Sequence, residues 1–569
     1  MNSKRNLAVA CALACAGLAG CNSSSGSGVQ TGTLVGAPAS GLIYSTETQS
    51  GKTSASGEFQ FRAGETVNFR LGGLDIGSVT ASASLTLPDV VGVSLPANGD
   101  ALSDALYSQT QPTAMDRLVN VAVLFESLDA DDAPENGIEI SADVEALVTP
   151  AAIDLDMHYW EFPVGGNIRD GLGLPGLLRA AAAESLLSAR PVAARGPALE
   201  RLYTLQSAPF SAQVSTLRRT DNDADGSIDY VRDITRSSFG RVVRDDYDND
   251  GDGVVDVRYD YTYTDNVEQL GYTRDDAVDG VIEFQRTIEY DAFGATTLFL
   301  EATGAGVVSR RQVSTYDAAG KLLSLALQTG TVDRVEYWTV DANGMRSVYE
   351  FDAENDGEID IRAQLTYPQG ETRSDRWTRQ DRDTNLDGIT DVVTLREFDA
   401  LGRKTLHIND TNVDGVPDYE ERIVFDSQGR IVDYTRDNDG GGVDYAYRWT
   451  YAADGLSATR ETDADGDGIY EQVLSQTFNA RGDLVLQEND TDGDGQPNSR
   501  NTYAYNAAGK RTERVQDQNA DGAIDRRYVY EYDAAGQLVR ETLDRFDDGV
   551  LDSITEYAGF VSVTVANYL

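Results

Sequence analysis

Histidine and cysteine are almost missing from this 569-residue chain, which has two of the first and three of the second. Cys11 and Cys15 lie inside an apolar N-terminal run, so a chain processed after it has no disulfide and at most one thiol, Cys21. His158 stands beside Tyr159 and Trp160, and His407 lies in a strand just ahead of an acidic loop. Each is read as a packed or surface residue, not as half of a catalytic pair. Basic residues are also scarce, at 47 against 94 acidic ones. The resulting formal charge of −47 rules against nucleic acid as a partner and makes an anionic membrane surface repulsive. No glycine-rich phosphate loop or zinc-ligand spacing occurs, because the glycines are flanked by aspartate and lack Lys or Ser/Thr at the required offset. Little supports an enzyme, and none is expected. The apolar run from Leu7 to Ala19 is too short to span a bilayer.

What the chain has in abundance is one acidic phrase, returning from Asp221 to Asp552. Its central glycine recurs at Gly226, Gly253, Gly280, Gly357, Gly388, Gly415, Gly442, Gly468, Gly495, Gly522 and Gly549, mostly 26 or 27 residues apart. The phrase has side-chain oxygens at positions 1, 3, 5 and 9, a glycine at 6 and usually an apolar residue at 8. A hard divalent cation such as Ca2+ takes six to eight oxygens at roughly 2.4 Å, so oxygens two residues apart must curl around one point and the glycine must permit the bend.

Eight copies keep all four ligand positions. They are Asp221, Asp223, Asp225 and Asp229; Asp248, Asp250, Asp252 and Asp256; Asp352, Glu354, Asp356 and Asp360; Asp383, Asn385, Asp387 and Asp391; Asp410, Asn412, Asp414 and Asp418; Asp463, Asp465, Asp467 and Glu471; Asp490, Asp492, Asp494 and Asn498; and Asp517, Asn519, Asp521 and Asp525. Three copies are impaired: Ala277 and Phe546 occupy position 3 after Asp275 and Asp544, and the copy at Asp437 is one residue short. The expectation is about eight calcium ions with the affinity of extracellular sites, the impaired copies weak or empty.

A second phrase alternates with the first: aromatic, Asp or Asn, two loose positions, Gly. Examples are Phe398 to Gly402, Phe425 to Gly429, Tyr505 to Gly509 and Tyr532 to Gly536. An Asp or Asn opening a turn that closes on glycine signals a hairpin. The runs between the two phrases are short and rich in aromatic and β-branched residues, hence strands. Each unit is therefore strand, acidic loop, strand, tight turn. Recurring tyrosines such as Tyr259, Tyr447 and Tyr528 are read chiefly as cross-strand ladders, with an exposed glycan- or peptide-gripping stripe as the other reading.

These turns resemble the YD repeats of RHS and teneurin proteins, which build curling β-sheets. The acidic loops are similar to those of thrombospondin type 3 repeats, dockerins and integrin propeller hairpins, which bind calcium. Position 12 departs from the EF-hand, being Arg232 or Tyr528 where a bidentate Glu would stand. At the N-terminus, Leu18-Ala19-Gly20-Cys21 resembles a bacterial lipobox, which implies removal of residues 1–20, lipid on Cys21 and, with Asn22 next, attachment to the outer membrane. Residues 21–28 form a Ser/Gly tether. Residues 29–90 resemble a transthyretin-like or Cna-B-like β-sandwich.

From residue 91 to 205 the period turns helical, with Leu118, Val121, Ala122, Phe125 and Leu128 on one face. Further helices are expected from Ser141 to Val148 and from Gly176 to Ala189. Asp129 to Asp132 is read as a solvated turn, and Pro191 to Pro209 as a linker into the repeats of residues 206–569. The expected fold is mainly β: a small sandwich, a short helical domain, then hairpin repeats forming an elongated, twisted array about 115 Å long. The expected function is a calcium-stiffened, lipid-anchored surface protein acting as an adhesive or structural module with a glycan or protein ligand. An RHS-like shell and a surface hydrolase carried on the N-terminal domains are the alternatives.

Overall fold

The computed structural model describes residues 28–35, 41–106, 112–150, 153–164, 173–237, 240–264, 269–341, 344–371, 376–400 and 402–568. Residues 1–27, and with them Cys21, lie outside this set.

The N-terminal part has two small sheets, one of three strands and one of four, both between Gln30 and Thr86. The strand Thr66–Leu71 alternates faces, burying Val67, Phe69 and Leu71, while Glu58–Phe61 buries Phe59 and Phe61. Phe59 meets Phe69 edge to face with ring centroids 5.3 Å apart. Beside the sheets lies the helix Ala114–Ser127, started by a Thr113–Asp116 capping box and buried on nearly every side. Leu118, Val121, Ala122, Phe125 and Leu128 join one core with the sheet residues. The helices Ala142–Leu147, whose N-cap is Ser141, and Gly173–Ala183 pack nearby.

Two expectations for this part are corrected. The stretch read as a linker contains the helix Arg195–Leu205, with Leu199, Leu202 and Tyr203 in the core; Pro191 and Pro197 suggested a break, but both precede or open the helix, where proline is tolerated. Asp129 is fully buried, not solvated, and its carboxylate accepts hydrogen bonds from the Ala133 and Glu139 amides, tying the turn together.

From Leu217 to Ala558, 26 strands run antiparallel, each paired with its sequence neighbours. The last, Ser553–Ala558, pairs with the first, Leu217–Asp221, in the register Ile554↔Asp221 to Ala558↔Leu217. The sheet is thus a closed barrel, and the elongated array expected from sequence is corrected. The cause lies in the turns. A register shift falls just before the aromatic of hairpin after hairpin, between Glu397 and Phe398, Val424 and Phe425, Thr477 and Phe478, Ala504 and Tyr505, and Glu531 and Tyr532. A bulge bends its strand, and bulges repeated along one edge of a sheet bend it in one sense. About 14° per strand suffices to close the ring, which at roughly 4.8 Å per strand is about 40 Å across, or wider with strand tilt. Hairpins that lack acidic loops, such as Val308–Tyr316 with Leu322–Thr329, keep their places in the ladder.

The barrel has two different rims. Acidic loops line one and the aromatic-Asp-x-x-Gly turns the other. The N-terminal part docks on the turn rim, where Arg179 pairs with Asp291 at 2.5 Å and lies over the Phe293 ring, while Lys510 pairs with Asp100 at 2.7 Å. Val565, just past the last barrel strand, enters the N-terminal core.

Candidate functional site

In the acidic loops the backbone is held in shape by the residues read as ligands. One oxygen of position 1 accepts the amide of the position 6 glycine in every copy kept intact: Gly226 to Asp221, Gly253 to Asp248, Gly357 to Asp352, Gly388 to Asp383, Gly415 to Asp410, Gly468 to Asp463, Gly495 to Asp490 and Gly522 to Asp517, all at 2.9 Å. Position 9 accepts the position 2 amide, as Asp229 does from Asn222 and Asp256 from Asn249. Position 5 accepts the position 7 amide, as Asp252 does from Val254. These latches close the loop onto itself, a role that spacing alone did not separate from coordination. At Asp391 and Asp418 the donated bonds hold the carboxyl below its ordinary range, led at Asp391 by the Thr384 amide and at Asp418 by the Thr411 hydroxyl.

Position 4 was missed by the sequence reading. It takes a left-handed backbone, with Ala224 at φ 55°, Val413 at 56° and Ala520 at 52°. Glycine stands there in three of the eight intact copies, at Gly251, Gly466 and Gly493. A β-carbon on Gly466 would lie 1.8 Å from the Val443 carbonyl oxygen of the preceding loop, so successive loops touch along the rim.

Three or more carboxylates bring oxygens within 4.8 Å of one another at Asp221, Asp223 and Asp225; at Asp248, Asp250 and Asp252; at Asp463, Asp465 and Glu471; and at Asp490, Asp492 and Asp494. The copies at Asp352, Asp383, Asp410 and Asp517 form no such group among the described residues. In these copies position 3 is Glu354, a longer side chain, or one of the amides Asn385, Asn412 and Asn519, which offer a neutral oxygen in place of a carboxylate. The shortened copy, read as impaired, does converge, through Asp437, Asp439 and Asp444. Losing one residue leaves Asp444 close enough to replace the usual position 9, and its carboxylate accepts the Asn438 amide.

Position 1 is buried in seven of the eight intact copies and half-buried at Asp383; Asp221 is at 4% exposure and Asp517 at 7%. One oxygen of each, Oδ1, is enclosed and has no hydrogen-bond partner, as is Oε2 of Glu471. An enclosed, unpaired carboxylate oxygen is costly unless a cation completes it, so these donor sets fit a hard cation.

The barrel wall supplies the second half of the site. Cross-strand partners share a face, and following them around the ring gives two continuous faces. On one, arginines pair with acids in the open: Arg448 with Glu461, Arg500 with Glu488 and Arg362 with Glu350, the arginines 44–54% exposed. On the other, side chains are mostly half-buried, as convergence on the concave side of a cylinder requires, which makes it the lumen. Tyrosines and arginines alternate there. Tyr434 stacks on Tyr447 with centroids 4.8 Å apart, and Arg436 lies 5.3 Å from the Tyr445 ring. Among the described residues both faces carry charged side chains, and neither presents the apolar band of a lipid-facing barrel.

The turn aromatics latch neighbouring hairpins. Tyr263, Tyr290, Tyr316, Tyr505 and Tyr532 each donate a hydroxyl to a strand carbonyl 20 or 21 residues earlier, from Val242, Gln269, Thr296, Leu484 and Arg511. This is the ladder role. His407 is not on the outer surface but faces the lumen, where burial followed by nearby Lys404 and Arg396 pushes its pKa down. His158 stacks on Trp160 with centroids 4.1 Å apart.

No known protein family matches the sequence, and no curated protein matches it. Among solved structures it is similar to the TcdB2-TccC3-Cdc42 complex, at 11% identity over 60% of this chain and 24% of that one, with a TM-score of 0.24. It is also similar to a porin-like protein from Bacteroides uniformis, at 8% identity over 60% of this chain and 97% of that one, with a TM-score of 0.15. The chain thus spans about a quarter of the first relative's length. At these scores the likenesses add nothing to the fold described above.

Proposed function

We propose that this protein is a calcium-binding surface module, lipid-anchored at Cys21 in the outer membrane, whose barrel is a metal-stiffened ring with a water-filled lumen. The observation that carries it is the row of acidic loops on one rim, with enclosed, unpartnered oxygens on Asp221, Asp517 and Glu471. Calcium would be held by positions 1, 3, 5 and 9 of each loop, and its charge would relieve the repulsion among carboxylates that touching loops concentrate. Closure favours a structural or enclosing role over an extended adhesin, in the manner of the RHS-like alternative.

Equilibrium dialysis of the protein without residues 1–20 tests the metal. Several ions per chain at millimolar calcium are expected, the convergent loops filling first, and two or fewer would overturn the reading. Fractionation tests the anchor: Cys21→Ala protein should leave the membrane fraction, and its retention there would count against lipidation.

A further inference from the structure

On eight consecutive strands, from Ile431–Asp437 to Arg526–Tyr532, the lumen face bears no aspartate or glutamate, though the chain has twice as many acids as bases. Every acid on these strands, including Glu461, Glu488 and Glu513, falls on the outer face, paired across to Arg448, Ser475 and Ala504. The lumen face instead carries arginines: Arg511 and Arg526, near strand ends, and Arg436, Arg460 and Arg514. None of the last three forms an ion pair with a described residue, and the Nε of each is enclosed without a hydrogen-bond acceptor. On these strands the outer-face arginines Arg448, Arg500 and Arg527 have carboxylate partners, whereas the nearest acid on the lumen face is Glu421, across from Arg436 on the preceding strand and already paired with Lys404 at 2.6 Å.

The unpaired arginines are set among flat rings. Arg460 lies 5.8 Å from the Tyr447 ring and 5.9 Å from the Trp449 ring, and Arg514 lies 5.5 Å from Tyr528. The strands between them present amides to the same face. A planar guanidinium pairs with carboxylate or sulfate, an aromatic face stacks on a sugar ring, and amides serve hydroxyls. We infer that this wall of the lumen binds an acidic polysaccharide, a chain of sugar rings bearing carboxylates. An acidic peptide would satisfy the arginines but leave the rings and amides without their complement.

The inference deepens the proposed module by naming its ligand class, and it couples to the metal. The acidic rim repels an anionic chain until calcium neutralises it, so binding should need calcium even though the arginines hold none.

The test uses the chain without residues 1–20, titrated calorimetrically in millimolar calcium with a hyaluronan oligosaccharide, a dextran oligosaccharide of equal length and poly-glutamate. Hyaluronan should bind, dextran should bind more weakly, and added salt should weaken hyaluronan. The triple variant Arg436→Gln, Arg460→Gln, Arg514→Gln should lose roughly tenfold or more in affinity, while Arg448→Gln on the outer face should not change it. If the triple variant does not fold by circular dichroism, Arg460→Gln alone is judged by the same standard with a smaller loss. Absence of hyaluronan binding, equal affinity in the lumen variant, or tighter binding of poly-glutamate would overturn the inference. Calcium stoichiometry on the same sample separates failures: a protein that binds calcium but not hyaluronan refutes the ligand, and one that binds hyaluronan but not calcium refutes the metal.

Discussion

The N-terminal part and the barrel are held together by different physics. The first has an oily centre, with Phe59, Phe69, Leu118, Phe125 and Leu199 at 1% exposure or less. The barrel wall is one sheet thick and has few buried apolar side chains, among them Leu322, Val335 and Val393. Its order comes from main-chain ladders, turn tyrosines, arginine–aromatic contacts and the closing of the ring. A core tolerates charge changes at a distance and fails when a cavity opens. A ring tolerates small changes anywhere and fails when it is cut or when its rim repels itself.

Calcium removal should separate the two most sharply. Seven of the eight intact position 1 aspartates are buried beside other side-chain oxygens, so a chelator leaves like charges together with no counterion. Calorimetry should show the barrel transition falling by more than about 10 °C in EDTA while the N-terminal transition stays. Equal shifts in both would break the comparison.

Cutting the ring should come next. Thr555 lies on the closing strand opposite Thr220, their hydroxyl oxygens 3.2 Å apart. The amide of the next residue, Glu556, faces Arg219 across this seam, so Glu556→Pro removes a donor from the closing ladder and costs about 3 kcal/mol or more locally. Small-angle scattering should then show an opened, longer particle. An unchanged profile would mean that closure rests on contacts other than this pair of strands.

Cavity substitutions give a third, smaller contrast. Phe125→Ala should cost about 3–5 kcal/mol in the N-terminal transition. Leu474→Ala on the half-buried lumen face should cost under about 1.5 kcal/mol in the barrel's. Comparable losses would mean the wall hides a core that the exposures do not reveal.

How much of this was legible follows from the same contrast. Strand, loop and turn could be read because each repeats at a fixed interval and glycine marks each bend. The ring could not, since a bulge before Phe398 or Tyr505 leaves no residue signature and curvature accumulates only when many are added. The closing strand Ser553–Ala558 follows the last acidic loop with no further phrase to flag it. In the rim, ligand types were visible, but the pooling of carboxylates was not: Asn385, Asn412 and Asn519 keep an oxygen but remove a charge, and the shortened Asp437 loop, which looked broken, brings three carboxylates together. The helix Arg195–Leu205 was hidden by flanking prolines.

The smallest effect belongs to Glu126, in the N-terminal core. Its side chain is 7% exposed and meets Arg201 Nε at 2.9 Å. Burial pushes its pKa up from 4.5 to about 7, Arg201 opposing and Asp129 and Glu135 adding to the rise. The folded form therefore keeps a proton that the unfolded chain releases above 4.5, so this contribution to stability is full below that pH and is lost as pH rises through about 7. The swing is on the order of 2 kcal/mol, given the opposing guanidinium. Thermal melts across this range should show the N-terminal transition declining towards neutral pH, with the decline flattened in Glu126→Gln. The barrel transition, where donated hydrogen bonds hold the Asp391 and Asp418 carboxyls below their ordinary range, should not follow it. A decline that persists unchanged in the variant would place the responsible proton elsewhere in the core.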